Sequence, residues 1–317
     1  MKLIVAYDGS KCSEAALDDV VRAGLPDAGE AEVISVAEVW LPPLESIGET
    51  NGNITGFELD PETEKAIQKH YEKDKRAVAE AETLADHAKK RLQRILPRWK
   101  VKAEATYGSP AWEILARADE FKADLIVVGS HGRSAIGRFF LGSISQKVLT
   151  EARCSVRVAR GRIEVDPTPM RVLIGFDGSK GAQAAVEAVK SRSWRDYSEI
   201  RLVAATEEVT PSTIGRFIPP ISHLVSEVNE SERDWIEKLA DNALKTLQSD
   251  SISASLHIHA GNPKDILVEE AERWNADCIF VGANAFGSRV ERFLLGTTSA
   301  AVAARAHCSV EVVRKHV

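Results

Sequence analysis

The residues best placed to do chemistry in this chain are glycines, hydroxyls and one carboxylate. From Gly129 the sequence reads GSHGRSAIGRFFLGSIS, which sets Gly129, Gly132 and Gly142 ahead of Ser143, Ile144 and Ser145. Glycine lets other groups approach the main chain closely, so such a loop can turn its N–H groups toward an anion. Gly142–Ser143 also opens a helical pattern. A helix N-terminus presents unpaired N–H donors and the positive end of the helix dipole, so phosphate is favoured there, with the Ser143 and Ser145 hydroxyls as further donors. Asp8, in the run VAYDGSK, could offer a carboxylate to the same ligand. The same residues are also ordinary turn and cap chemistry, and Asp8 could simply cap its own turn. Spacing alone leaves both readings open. No glycine is followed by lysine, and no GxGxxG directly follows a strand, so neither a P-loop NTPase nor a dinucleotide dehydrogenase fits.

The elements that must hold these residues repeat. LIVAYDGSK from Leu3 is matched by VLIGFDGSK from Val172, and GSPAWEILARADEFKADLIVVGS from Gly108 by GNPKDILVEEAERWNADCIFVGA from Gly261. ARCSVRVAR from Ala152 is matched by AHCSVEVVR from Ala306, so Cys154 and Cys308 are equivalent. The extra residues of the first half fall around 41–60, which reads as a long loop rich in Gly, Pro and Asn. Residues 161–169 have no counterpart and contain two prolines, which marks a linker between domains 1–160 and 170–317.

Within the first half, strands are expected at Leu3–Tyr7, Glu32–Val39, Val101–Thr106, Asp124–Val128 and Ser155–Ala159. Helices are expected at Ser13–Ala23, Glu62–Leu96 and Pro110–Phe121, and from Ser143. Alternation of this kind implies an α/β fold, two tandem doubly wound domains with five-stranded parallel sheets. In such a sheet the ligand crevice lies at the carboxyl ends of strands, at the switch point. Asp8 and Gly129 both sit at strand ends.

Gly129, two residues, Gly132, nine residues and Gly142–Ser143 reproduce the G-x2-G-x9-G-[ST] pattern of ATP-binding universal stress proteins. With VAYDGS at the start and CSVRVA at the end, the first half resembles that family almost throughout, and the second half resembles it too. The resemblance implies the sheet order 3-2-1-4-5, a Rossmann-like, adenine-nucleotide-hydrolase-like fold, and ATP or another adenine nucleotide as ligand. By position, Ala6 and Asp8 would border the adenosine, with Asp8 near ribose or a Mg ion. Val128, Gly129 and Gly132 would line the phosphate loop, Gly142, Ser143, Ile144 and Ser145 would hold the phosphates, and Glu38 would stand near the adenine. Family domains commonly pair through their last strands, so the resemblance implies an internal pseudo-dimer and leaves a further homodimer open. The second half departs from the pattern. GANAFGSRVERFLLGTTS has Ala285 for the second glycine and one extra residue before Gly296. Asp177, Gly282, Gly296, Thr297, Thr298 and Ser299 remain as a site expected to be weaker, altered or empty.

Length and composition bound the rest. The chain has 317 residues and a formal charge of −6 with mixed signs, which gives no footprint for nucleic acid and no polybasic run for a membrane surface. No apolar run approaches a bilayer span, and a cytoplasmic protein is expected. Cys12, Cys154, Cys278 and Cys308 lack metal-ligand spacing and read as reduced, mostly buried thiols. His257 and His259 alternate on a strand, and without a third ligand in view they read as strand-surface residues. The functional expectation is a nucleotide-binding regulatory protein with an unidentified protein partner. The alternatives are a slow Mg-dependent ATPase using Asp8, for which no general base or arginine finger is evident, and a nucleotide-free scaffold.

Overall fold

Short β-branched runs and amphipathic stretches alternate along the chain, and each run becomes a strand and each stretch a helix. The computed structural model describes residues 1–39, 61–131, 141–160, 169–206, 221–283 and 295–314. The first half is β1 (Lys2–Ala6), α1 (Lys11–Asp19), β2 (Glu30–Ala37), α2 (Pro61–Ile95), β3 (Lys100–Tyr107), α3 (Pro110–Phe121), β4 (Leu125–Gly129), α4 (Ser143–Glu151) and β5 (Ser155–Ala159). The second half repeats it as β6 (Arg171–Gly175), α5 (Lys180–Lys190), β7 (Glu199–Thr206), α6 (Ile221–Leu247), β8 (Ser253–Ala260), α7 (Pro263–Trp274), β9 (Cys278–Gly282), α8 (Thr297–Arg305) and β10 (Ser309–Val313). Residues 41–60 and 161–168, the expected loop and most of the expected linker, lie outside the described residues.

The departures from the sequence expectation have local causes. α1 stops at Asp19 and tightens into a 3₁₀ turn over Val20–Arg22, where two β-branched valines meet. Gly24 then turns the chain with φ 61°, a conformation that favours glycine. β2 starts at Glu30 because its backbone pairs on both sides, with Lys2 of β1 and Lys100 of β3. α2 is 35 residues long, and Ala81, Ala85, Ala88 and Leu92 form its buried stripe. Steps of four and three residues place them on one helix face.

The strands form one ten-stranded sheet in the order β3-β2-β1-β4-β5-β10-β9-β6-β7-β8. Each half has the order 3-2-1-4-5 with parallel pairing, and the halves meet where β5 and β10 pair antiparallel. Apolar side chains pack on both sheet faces, as a doubly wound sheet requires.

At the junction Arg157 stands opposite Glu311 in register. Arg157 is fully buried and binds both carboxylate oxygens of Asp19, at 2.5 and 3.1 Å. It lies 3.5 Å from Glu311, whose other oxygen takes Arg192 at 2.5 Å. The two halves also trade helix caps. Arg160 donates from Nη1 to Ala306 O at 3.2 Å, at the end of α8, and Arg314 donates from Nη2 to Leu149 O at 2.6 Å, in the last turn of α4. Each cation sits at the negative end of the other half's last helix.

All four cysteines are free, with Cys12 intermediate in exposure and the rest buried. Burial pushes the Cys154 and Cys278 thiols up to about 12, and the Cys308 thiol higher still. At pH 8 a thiol reagent is therefore expected to label at most Cys12 rapidly in the folded protein and all four residues after denaturation. Fast labelling of a second thiol in the native state would contradict this packing.

Candidate functional site

β1 and β4 lie side by side in parallel, so the turn after β1 and the loop after β4 open on the same edge of the sheet. The Asp-Gly-Ser turn after β1 has a defined local chemistry. Gly9 has φ 74°, which leaves the Asp8 carboxylate to accept the Ser10 N–H at 3.0 Å. Ser10 then caps α1, its Oγ accepting the Ser13 N–H at 3.2 Å. Gly178, Asp177, Ser179 and Ala182 repeat the arrangement, with φ 74° at Gly178 and bonds of 2.9 and 3.1 Å. Both aspartates thus cap their turns, and both also line a crevice.

Gly129 is set by packing. A Cβ there would lie 2.7 Å from the backbone C and O of Cys12, so this glycine lets α1 approach β4. Gly282 is under the same constraint, with a Cβ falling 2.3 Å from the backbone C of Gly181. The loop after β4 closes where the Gly142 N–H donates to Ser130 O at 2.8 Å, and α4 begins with the Gln146 N–H donating to Gly142 O at 2.8 Å. Helix geometry leaves the N–H groups of Ser143, Ile144 and Ser145 without an intrahelical acceptor. The Ser145 hydroxyl donates to Gly129 O at 2.6 Å. It therefore staples the loop, and only its backbone N–H remains available as the anion donor foreseen from the sequence.

The second half builds the same end. The Gly296 N–H donates to Ala283 O at 2.6 Å, the Ala300 N–H to Gly296 O at 3.0 Å, and the Ser299 hydroxyl to Gly282 O at 2.5 Å. The N–H groups of Thr297, Thr298 and Ser299 are placed as those of 143–145 are. Gly132, and residues 284–294 where the second loop departs from the pattern, lie outside the described residues.

Each half encloses a crevice at these strand ends. In the first it has a volume of about 440 Å³ and gathers Ala6, Asp8, Val128 and Gly129 with Gly142–Ser145. In the second the volume is about 560 Å³, and Asp177, Gly282 and Gly296–Ser299 line it. Glu38, just past the end of β2, borders the first crevice. Sequence reasoning missed the far wall, where Ala77, Glu80, Ala81 and Leu84 of α2 close the first crevice. The only signal for it was the small-residue spacing on α2, which by itself says nothing about a ligand. His131 lies beside the loop, Nδ1 3.1 Å from Ser130 Oγ. Burial, with Arg160 nearby, depresses its pKa below the usual histidine range.

The arrangement sets an anion-binding helix end beside two carboxylates in one crevice. Phosphate oxygens fit the α4 N-terminus, while the carboxylates of Asp8 and Glu38, which line the same crevice, fit hydroxyl or amine donors or a cation. Among the described residues no helix is long and apolar enough to cross a membrane.

Comparison with known proteins gives a consistent family. The model of the universal stress protein family matches residues 1–160 and again 169–314. A universal stress protein of Thermus aquaticus is 33% identical over 162 residues, covering 50% of this chain and 97% of that protein. One of Mycobacterium tuberculosis is 27% identical over 219 residues, covering 68% of this chain and 69% of its own. In fold the chain is similar to the crystal structure of a universal stress protein from Archaeoglobus fulgidus, with TM-score 0.58 and 21% identity, covering 99% of this chain and 96% of that one. Two matches to one family model, on two halves that share a sheet order and a strand-end crevice, mean that the chain belongs to the universal stress protein family as a tandem of two of its domains.

Proposed function

We propose that the chain is a cytoplasmic stress-response regulator whose first domain binds an adenine nucleotide, ATP by its glycine spacing, with a Mg ion at Asp8. One observation carries the reading. The N–H groups of Ser143, Ile144 and Ser145, which have no acceptor within their own helix, and the Asp8 turn border one crevice, an anion site and a hydroxyl or cation site in one opening. Nucleotide occupancy then changes the surface offered to a protein partner or to a second copy of the chain. The second domain keeps the turn and the helix end, but its loop sequence has one extra residue and Ala285 in place of the second glycine, so a lower affinity is expected there. Four free cysteines, three of them buried, suit a reducing compartment.

The test is to denature the purified protein, identify any released nucleotide by mass spectrometry, and titrate ATP, ADP and AMP by calorimetry. About one tight site per chain is expected, lost in Gly142→Val. Absence of both released and titratable adenine nucleotide would leave the scaffold reading. ATP turnover abolished by Asp8→Ala at unchanged affinity would instead make the chain an enzyme.

A further inference from the structure

The second domain carries a cluster that its twin lacks, none of whose members lines the strand-end crevice. His257 and His259 lie two residues apart on β8 and so share a face of the strand. β8 is the outermost strand on its side of the sheet. Their rings stack with centroids 6.4 Å apart and planes 18° apart. Glu270 of α7, only 3% exposed, reaches the same place. One ligand atom from each residue lies within 4.8 Å of the other two, the one such group of three among the described residues. The third ligand absent from the sequence reading is Glu270, eleven residues further on and brought in by the crossover from β8 to α7.

Equivalent positions in the first domain explain which part of this cluster the fold itself needs. There Glu32 of β2 holds Arg117 of α3 at 2.7 Å, with Glu120 at 2.8 Å and Glu104 at 3.9 Å. In the second domain the signs at the positions of Glu32, Arg117 and Glu120 are reversed. Arg201 of β7 holds Glu270 at 2.5 Å, Arg273 joins at 2.6 Å, and His257 and His259 replace Glu104 and Thr106. The ion pair that fastens helix to sheet therefore needs only Arg201 and Glu270. The histidines are additional, and His259 Nε2 is buried without a hydrogen-bond partner, 3.6 Å from Glu270 Oε2. A buried ring nitrogen with no partner costs stability unless something occupies it.

We propose that His257, His259 and Glu270 bind a divalent transition-metal ion of the zinc, cobalt or nickel class, with the fourth position open to water. Two imidazoles and a carboxylate are a ligand set these ions accept. Tetrahedral coordination at ~2.1 Å brings ligand atoms to about 3.4 Å from one another, so the three groups, already within 4.8 Å, need only a small movement to close. Arg201, stacked 4.1 Å over the Trp274 ring, keeps its hold on Oε1 and orients the carboxylate, as outer partners of metal ligands do. Arg273 has a side chain 64% exposed and leaves Oε2 to the ion. The two arginines lower the affinity without filling the site. Once bound, the ion pins the edge strand β8 to α7.

The experiment uses the full-length chain, free of any histidine tag, with Zn²⁺ or Co²⁺ as the only added probe. Equilibrium dialysis with elemental analysis should find one ion per chain. The cobalt protein should show visible ligand-field bands without the intense near-ultraviolet band of a thiolate ligand, which separates this site from the cysteines. His259→Gln and Glu270→Gln should each weaken binding by about 100-fold or more, and Zn²⁺ should raise the melting temperature of the parent but not of His259→Gln. Arg273→Ala should bind as tightly as the parent or tighter. Because Glu270→Gln disturbs the pair with Arg201, the His257→Ala/His259→Gln double variant, which spares that pair, decides the matter. Failure of the parent to bind saturably, or equal affinity in the double variant, overturns the proposal. Neither result touches the nucleotide reading, which concerns the opposite domain.

Discussion

Replacing Ser143 by aspartate is expected to make the protein slightly more stable and much poorer at holding its nucleotide. Ser143 is the first, exposed residue of α4. A carboxylate in the first turn of a helix interacts favourably with the dipole, by about 0.3–1 kcal/mol. The same carboxylate stands where the phosphates are proposed to bind. Two like charges ~4 Å apart near a protein surface repel by as much as about 4 kcal/mol before salt screens them. A loss of affinity of about 10- to 100-fold follows, with the denaturation midpoint unchanged or raised. Opposite signs for stability and binding are the diagnostic outcome, since a merely structural role for Ser143 would move both together. Equal affinity in variant and parent would remove the phosphates from this helix end. Thr297→Asp makes the same measurement on the second domain independently.

Arg157→Met is expected to cost the fold about 3–5 kcal/mol, the usual penalty for stranding buried charge. Asp19 and Glu311 are 2% and 0% exposed, and without Arg157 neither Asp19 nor the Glu311 oxygen facing it keeps its cation. At about 2–4 °C per kcal/mol for a domain of this size, the melting temperature should fall by roughly 10 °C. The loss comes from incomplete pairing more than from a strong native attraction. Removing Asp19, Arg157, Arg192 and Glu311 together, with apolar residues of matched volume, should therefore recover most of it. A loss below about 1 kcal/mol for the single variant would mean that water reaches the junction between the halves.

The fold was legible because the sequence states it twice. The matches from Leu3 and Val172 fix the first strands, and the doubled ADLIVVG and ADCIFVG runs fix the fourth, so each local assignment is made in two contexts. The site was half legible. Types and spacing identified the α4 N-terminus and the Asp8 turn. They could not say that Gly129 answers to the backbone of Cys12, or that the Ser145 hydroxyl is used within its own loop, because both facts depend on how α1 and α4 sit against β4. The far wall from α2 was invisible for a similar reason. Ala77 and Ala81 carry no chemistry, and only the path of a long helix brings them to the crevice. Glu270 escaped detection as a partner of His257 and His259 because its proximity is tertiary, and its helix reads as an ordinary charged one.

The reversed ion pairs bear on how a duplicated chain assembles. Two halves with the same helices and the same strand order can fold onto the wrong copy, the characteristic failure of tandem repeats. Were α3 to dock on the second sheet, Arg117 would meet Arg201. Were α7 to dock on the first, Glu270 would meet Glu32. Either exchange sets like charges against each other and leaves Arg117 or Glu270 only the exposed partner on its own helix, Glu120 or Arg273, while each correct docking joins opposites at 2.7 Å and 2.5 Å. The inversion acts as an address on each helix, sorting otherwise interchangeable parts to the sheet from which they came.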